Sequence, residues 1–231
     1  MTGPDDPAGF LRAYTRLQRP LLVPEFSLHL ANALTPIWQA TEEFLRAENI
    51  APPFWAFAWP GSQALARYVL DQPETVAGRR VLDFAAGSGL AAIACARAGA
   101  ASVEAADIDP LAAAAIRANA AANGAAVTAF ADDLVGTPGR WDLILCGDVC
   151  YDAPMTRRIL PWLRSLAETA TVWIADPGRA YLPLHGLAAF ARFDVPTTLE
   201  LEDRTEREVM LYRLLPATDR SAEASAALAG D

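Results

Sequence analysis

Apolar and polar positions fall into a regular rhythm through the middle of the chain. Residues 80–84, 102–106, 126–130, 141–146 and 171–175 are short apolar runs that read as strands. Most of the stretches between them carry apolar residues at helical spacing, and this alternation predicts a mostly parallel sheet with helices on both faces. Residues 193–198 and 208–214 read as two further strands with no helix between them, which predicts an antiparallel hairpin at one edge. The first quarter of the chain has a different pattern. Residues 10–17 have helical spacing, and Thr35-Pro36 stands where an N-cap and first helical position would open a helix through about Ala47. Residues 1–61 are therefore expected to form a helical and extended cap on a core of residues 62–215, whose first element is a helix over 62–70. From Pro216 the chain turns Ala- and Ser-rich, and 216–231 is expected to be a flexible tail.

Composition narrows the class of protein. With 231 residues and 53% hydrophobic content, the chain can bury one substantial core. The formal charge is −9 and no stretch concentrates arginine, so a nucleic-acid partner is not expected. All of the 19 basic residues are arginine; the chain contains no lysine. Cys95, Cys146 and Cys150 lack zinc or disulfide-framework spacing and only His29 and His185 could join them, so no metal site is expected and a reducing cytoplasm fits best. No segment offers the roughly 20 apolar residues that span a bilayer, and the first residues lack the pattern of a secretory signal.

The strongest local signal is Val81-Leu82-Asp83-Phe84-Ala85-Ala86-Gly87-Ser88-Gly89-Leu90, a strand that passes through a Gly-rich turn into a helix. Such a turn lets a ligand approach the backbone and aims amide donors at it. Read as GxGxxA, with Asp107 about 20 residues on, the loop imitates a dinucleotide fingerprint. Read as DxAxGxG, it also has Asp83 at the strand end, where a carboxylate repels pyrophosphate but accepts from the ammonium of a methionine moiety. That favours S-adenosylmethionine. Asp107 would then hold the ribose hydroxyls while Asp109, directly before Pro110, caps the next helix. Asp132 is placed either to accept from the adenine amino group or in a solvated turn.

The fourth core strand runs into Gly147-Asp148-Val149-Cys150-Tyr151-Asp152, at the sheet edge where open parallel sheets bind ligands. Asp148 could anchor an incoming ammonium and Tyr151 shape its slot; the plainer reading makes them a helix cap and core packing. A lysine acceptor sets a clear demand, because making an amine of pKa near 10.4 neutral at pH 7 costs about 4–5 kcal/mol. A desolvating aromatic channel with a carboxylate at its mouth meets that demand. Trp55, Phe57, Trp59 and Pro60 could wall such a channel or pack in the core.

These motifs, together with Leu22-Val23-Pro24-Glu25-Phe26-Ser27-Leu28, Pro52-Pro53-Phe54-Trp55-Ala56-Phe57-Ala58-Trp59-Pro60-Gly61, Ala106-Asp107-Ile108-Asp109-Pro110 and Asp176-Pro177-Gly178-Arg179, occur in the order seen in the electron transfer flavoprotein β-subunit lysine methyltransferases, which the chain resembles over about residues 20–214. The resemblance implies a Rossmann-like α/β fold of seven strands with the last antiparallel, S-adenosylmethionine as cofactor, and transfer to lysines of the flavoprotein β subunit or of a ribosomal protein. It implies cofactor contacts at Trp59, Gly87, Ser88, Gly89, Asp107 and Gly147, and matches Asp148 and Tyr151 to the DxxY element near the target lysine. Ala85 departs from the pattern by replacing a glycine of the cofactor loop. Arg179 would either touch substrate or cap its strand. A small-molecule amine acceptor and a nicotinamide-dependent oxidoreductase are the alternatives.

Overall fold

The computed structural model describes residues 6–31 and 52–216. Its centre is a seven-stranded sheet made of β3 (Arg80–Phe84), β4 (Ser102–Ala106), β5 (Thr128–Phe130), β6 (Leu143–Gly147), β7 (Thr171–Asp176), β8 (Leu187–Pro196) and β9 (Glu206–Leu214), in the order β5-β4-β3-β6-β7-β9-β8. β3 to β7 are parallel, and β9 runs opposite to both of its neighbours, β7 and β8. The central strands β3, β6 and β7 are almost continuously apolar because both of their faces are covered. On one face Val81, Leu143 and Leu145 pack with Leu65 and Val69 of α2 (Pro60–Asp71), the alanine-rich α3 (Leu90–Arg97) and Ile116 of α4 (Pro110–Ala122). On the other, Leu82, Phe84 and Ile144 meet Ile159, Trp162 and Leu163 of α5 (Ala153–Leu166). Chain connections leave β3 toward β4 on one side and reach β6 on the other. The carboxyl end of β3 is thus the switch point where such sheets bind ligands.

The seven-stranded α/β reading holds, and boundaries shift where local chemistry outweighs periodicity. The edge strand β8 begins at Leu187, six residues before the expected start; its outer positions are exposed, so no apolar alternation marks it. The helix expected over 10–17 is α1 (Pro7–Tyr14), because the Asp6 side chain accepts from Gly9 N–H at 2.9 Å with Pro7 in the first turn. Arg16–Gln18 is instead a strand, β1, paired antiparallel with β2 (Leu28–Leu30). The described part of the N-terminal region is therefore not simply helical. The helix expected from Thr35 and the tail beyond Pro216 lie outside the described residues.

Amide side chains attach this region to the core by imitating strand neighbours. Asn119 Oδ1 accepts from His29 N–H at 2.7 Å and its amide donates to Ser88 O at 2.9 Å. Asn123 makes a reciprocal pair with the backbone of Ser27, and Gln63 bridges Leu22 N–H and Ala58 O. Asn119 is fully buried. Asn119→Ala is expected to lower unfolding stability by about 2–4 kcal/mol, because one buried and one half-buried backbone group lose their partner. A urea titration with unchanged slope checks this; a loss under about 1 kcal/mol would mean that the contact carries little of the attachment.

Candidate active site

The loop after β3 is built from left-handed turns: Ala85, Gly87 and Gly89 have φ of 53°, 53° and 76°. Glycine adopts this conformation freely, whereas Ala85 carries a strain of about 1 kcal/mol. A Cβ on Gly89 would lie 2.9 Å from Ile116, so the loop packs tightly on α4. Asp83 lies behind the loop, not in front of it. Its carboxylate is buried, accepts from Ala92 N–H at 2.9 Å and does not line the cavity; burial pushes its pKa up to about 8. Asp83 thus ties the loop to α3 from beneath, where the sequence led us to expect it facing a ligand ammonium. Ser88 and Gly89 also stay behind the cavity, with Ser88 O bound to Asn119 and its buried hydroxyl unpartnered.

In front of the loop lies a cavity of about 410 Å³. Ala85 and Gly87 form its floor, Asp107, Ile108 and Asp132 one side, and Pro52, Phe54, Trp55 and Trp59 a wall. Asp107 is fixed by two amides, Gly87 N–H on Oδ2 and Asp109 N–H on Oδ1, both at 3.0 Å, and burial raises its pKa. Asp109 caps α4 through Leu111 N–H, at 2.8 Å. The two acids thus divide the work of the β4 end, and Asp107 keeps free lone pairs toward the cavity. Asp132 is exposed at the rim, whereas its neighbour Asp133 is paired with Arg158.

Beyond Gly147 the cavity changes character. Asp148 is 6% exposed and left-handed at φ 56°. Its Oδ1 accepts from Arg179 Nε and Nη2 at 3.0 and 2.6 Å, and its Oδ2 from the Gly61 N–H. Three of about four acceptor directions are occupied, so an incoming ammonium does not meet a free carboxylate. Burial raises the pKa of Asp148 to about 6, and Arg179 opposes that rise. Arg179 also lines the cavity. Its guanidinium joins Asp148 to Glu202 and lies 5.9 Å from the Trp59 ring centre, while its strand-end turn is closed by Asp176, which accepts from Gly178 and Arg179 N–H.

Aromatic rings line the mouth. Trp59 donates to Phe54 O at 2.8 Å, and the Phe54 ring lies 6.1 Å from Trp59 and 5.6 Å from Tyr151. Tyr151 is 45% exposed, so it forms the rim rather than core packing. Phe57 stands behind, edge-on to Trp59 at 5.6 Å. Trp59, Ala85, Gly87, Asp107, Asp132, Gly147, Asp148 and Tyr151 thus meet at one cavity, and Asp83, Ser88 and Gly89 support it. Sequence reasoning missed Glu202, which no motif marks.

A relative from Danio rerio, named electron transfer flavoprotein beta subunit lysine methyltransferase, is 41% identical over 84% of this chain and 78% of its own. One of the same name from Xenopus laevis is 40% identical over 78% and 73%. The chain belongs to the electron transfer flavoprotein beta subunit lysine methyltransferase family. The ribosomal protein L11 methyltransferase (PrmA) family profile matches residues 63–147. Among solved structures, the ribosomal protein L11 methylase of Lactobacillus delbrueckii subsp. bulgaricus shares the fold, at TM-score 0.50 and 24% identity over 79% of this chain and 93% of its own. Membership in the lysine methyltransferase family decides between the two readings of the loop: the cofactor is S-adenosylmethionine, not a dinucleotide.

In this methyltransferase the raised pKa of Asp83, about 8 against an ordinary 3.8, has a definite sign. Its favourable contribution to stability is complete below about pH 4 and is lost as pH rises through about 8. Asp83→Asn keeps the shape of the neutral acid, so its stability relative to the native chain should increase from about pH 5 to about pH 9 in thermal melts. Affinity for S-adenosylhomocysteine should change by less than about threefold; a tenfold loss would restore Asp83 to ligand contact.

Proposed function

We propose that the protein methylates lysine side chains of the electron transfer flavoprotein β subunit. The observation that carries this reading is the aromatic mouth around the paired Asp148, placed directly beyond a cavity suited to the cofactor. Asp107 has oriented oxygens for ribose hydroxyls, the rim Asp132 offers an acceptor for an adenine amino group, and Ala85 and Gly87 leave the loop backbone open. When bound, S-adenosylmethionine supplies a methyl group on a positively charged sulfur for in-line displacement.

The protein's own task is to present a neutral amine. Phe54, Trp59 and Tyr151 strip water from the incoming side chain, and the Arg179 charge disfavours a second cation beside it, so both lower the amine pKa. The proton leaves through the open mouth to water. The remaining acceptor direction on Asp148 Oδ2 then takes one N–H of the neutral amine, which turns its lone pair toward the methyl group. Asp148 acts here as an orienting acceptor, with the bulk of the acceleration coming from alignment.

The PrmA match stops at residue 147, before Asp148 and Tyr151. It supports the cofactor half and favours a ribosomal protein only as a second acceptor. A protein rather than nucleic-acid partner is supported by the net charge of −9. A cytoplasmic setting is supported by three free, buried thiols. Among the described residues no helix is long and apolar enough to cross a membrane.

Labelled methyl transfer to purified electron transfer flavoprotein, to ribosomal protein L11 and to a small-amine panel tests the reading. Label on β-subunit lysines supports it; label elsewhere alone overturns the substrate, and none anywhere overturns the activity. Transfer should also decline below about pH 6 as Asp148 takes up its proton. Asp148→Asn should lose the added break near pH 6, leaving the decline set by protonation of the amine itself, and reduce kcat at least about tenfold, with S-adenosylhomocysteine affinity within about threefold. Unchanged kcat would remove Asp148 from the site.

A further inference from the structure

Glu202 lies far from every motif of the cavity, at the end of the four-residue helix α6 (Leu199–Glu202) that links β8 to β9. It is nevertheless 4% exposed. Its carboxylate accepts from Arg179 Nη2 at 2.6 Å and Nη1 at 3.2 Å, and from Arg207 Nε of β9 at 2.9 Å. Arg207 also reaches the Glu202 carbonyl and pairs with exposed Asp203. A line of alternating charge therefore runs from the cavity to the surface: Asp148, Arg179, Glu202, Arg207.

A hairpin connection needs no buried carboxylate, and burying one costs several kcal/mol unless good partners surround it. Packing alone does not account for Glu202. Its two-point grip, however, fixes the plane of the Arg179 guanidinium, and that plane sets which nitrogens face Asp148 Oδ1 and how the cation lies over Trp59. We propose that Glu202 is a positioning residue of the methyl-acceptor site, acting through Arg179 to hold the Asp148 carboxylate in its working orientation. This inference deepens the lysine-methylation reading and rests on it.

The charged groups around Asp148 permit a test by sign. Arg179 opposes the burial-driven rise in its pKa, Asp176 adds to it, and Gly61 N–H favours the ionised form. If Glu202 were only a nearby negative charge, Glu202→Gln would lower the Asp148 pKa, since a like charge is removed. If Glu202 pins Arg179, the same change lets the guanidinium drift away and the Asp148 pKa rises.

Titration of the Asp148 carboxyl by ¹³C NMR in the ligand-free protein reads this without turnover, with the resonance identified by its loss in Asp148→Asn. The expected result for Glu202→Gln is a rise of at least about 0.5 in that pKa. Glu202→Asp keeps the charge but withdraws the carboxylate by one methylene, and a rise is expected there too. The second variant serves where the first does not fold. In kinetics, Glu202→Gln should lower kcat at least about fivefold while S-adenosylhomocysteine affinity stays within about threefold. A fall, or no change, in the Asp148 pKa overturns the proposal. Failure of the native protein to methylate any amine overturns the functional reading instead, and leaves the titration interpretable.

Discussion

The buried carboxylate of Asp148 is the contact that joins fold to site. Helix α2 starts with backbone amides that have no partner within the helix, and the Gly61 N–H finds its acceptor in Asp148, 87 positions away. The approach is so close that a Cβ on Gly61 would lie 2.5 Å from Asp148 Oδ2, and one on Gly147 would lie 2.9 Å from Ser62 N. Trp-Pro-Gly at the start of α2 and Cys-Gly-Asp at the end of β6 are two halves of one backbone contact. The same carboxylate receives Arg179 from the turn after β7, and through it the β8–β9 connection. Helix α2, sheet centre and sheet edge therefore converge on one residue.

What the sequence made legible follows from where water is excluded. β3, β6 and β7 are buried on both faces and reveal themselves as apolar runs; β8 faces solvent along its outer positions, and half of it went unread. The β1–β2 pair has strands too short for a period of two to register, and its attachment depends on single amides such as Asn119. That Gly87, Asp107 and Asp148 lie at one cavity is legible in the sequence, because turn geometry and strand ends limit where they can stand. The direction of Asp83 was in principle readable as well. Leu82 and Phe84 face α5, so alternation sends Val81 and Asp83 toward α3, under the loop. The occupancy of Asp148 was not readable, because its partners come from Gly61, Arg179 and, at one remove, Glu202, which are brought together only by the closed sheet.

The two ends of the cavity are built on different principles. At the cofactor end, polar side chains are held by backbone amides a few residues away or on the adjoining strand, as with Asp107 between Gly87 and Asp109. Such an arrangement belongs to the strand-turn-helix unit itself and suits a ligand common to many proteins. At the Asp148 end, orientation comes from side-chain ion pairs among residues distant in the chain. These depend on the turn after β7 and on the β8–β9 connection at the sheet edge. The match to the PrmA profile ends between the two, at residue 147.

The ion chain has a chemical consequence of its own. Any amine resting where Arg179 rests would lie beside a methyl donor with its lone pair available. Each cation in the ion chain is a guanidinium, whose nitrogens donate rather than accept, and Glu202 and Asp148 raise the pKa of Arg179 further. With no lysine anywhere in its 231 residues, the enzyme presents its alkylating reagent to partners while carrying no side-chain amine that could be consumed by it.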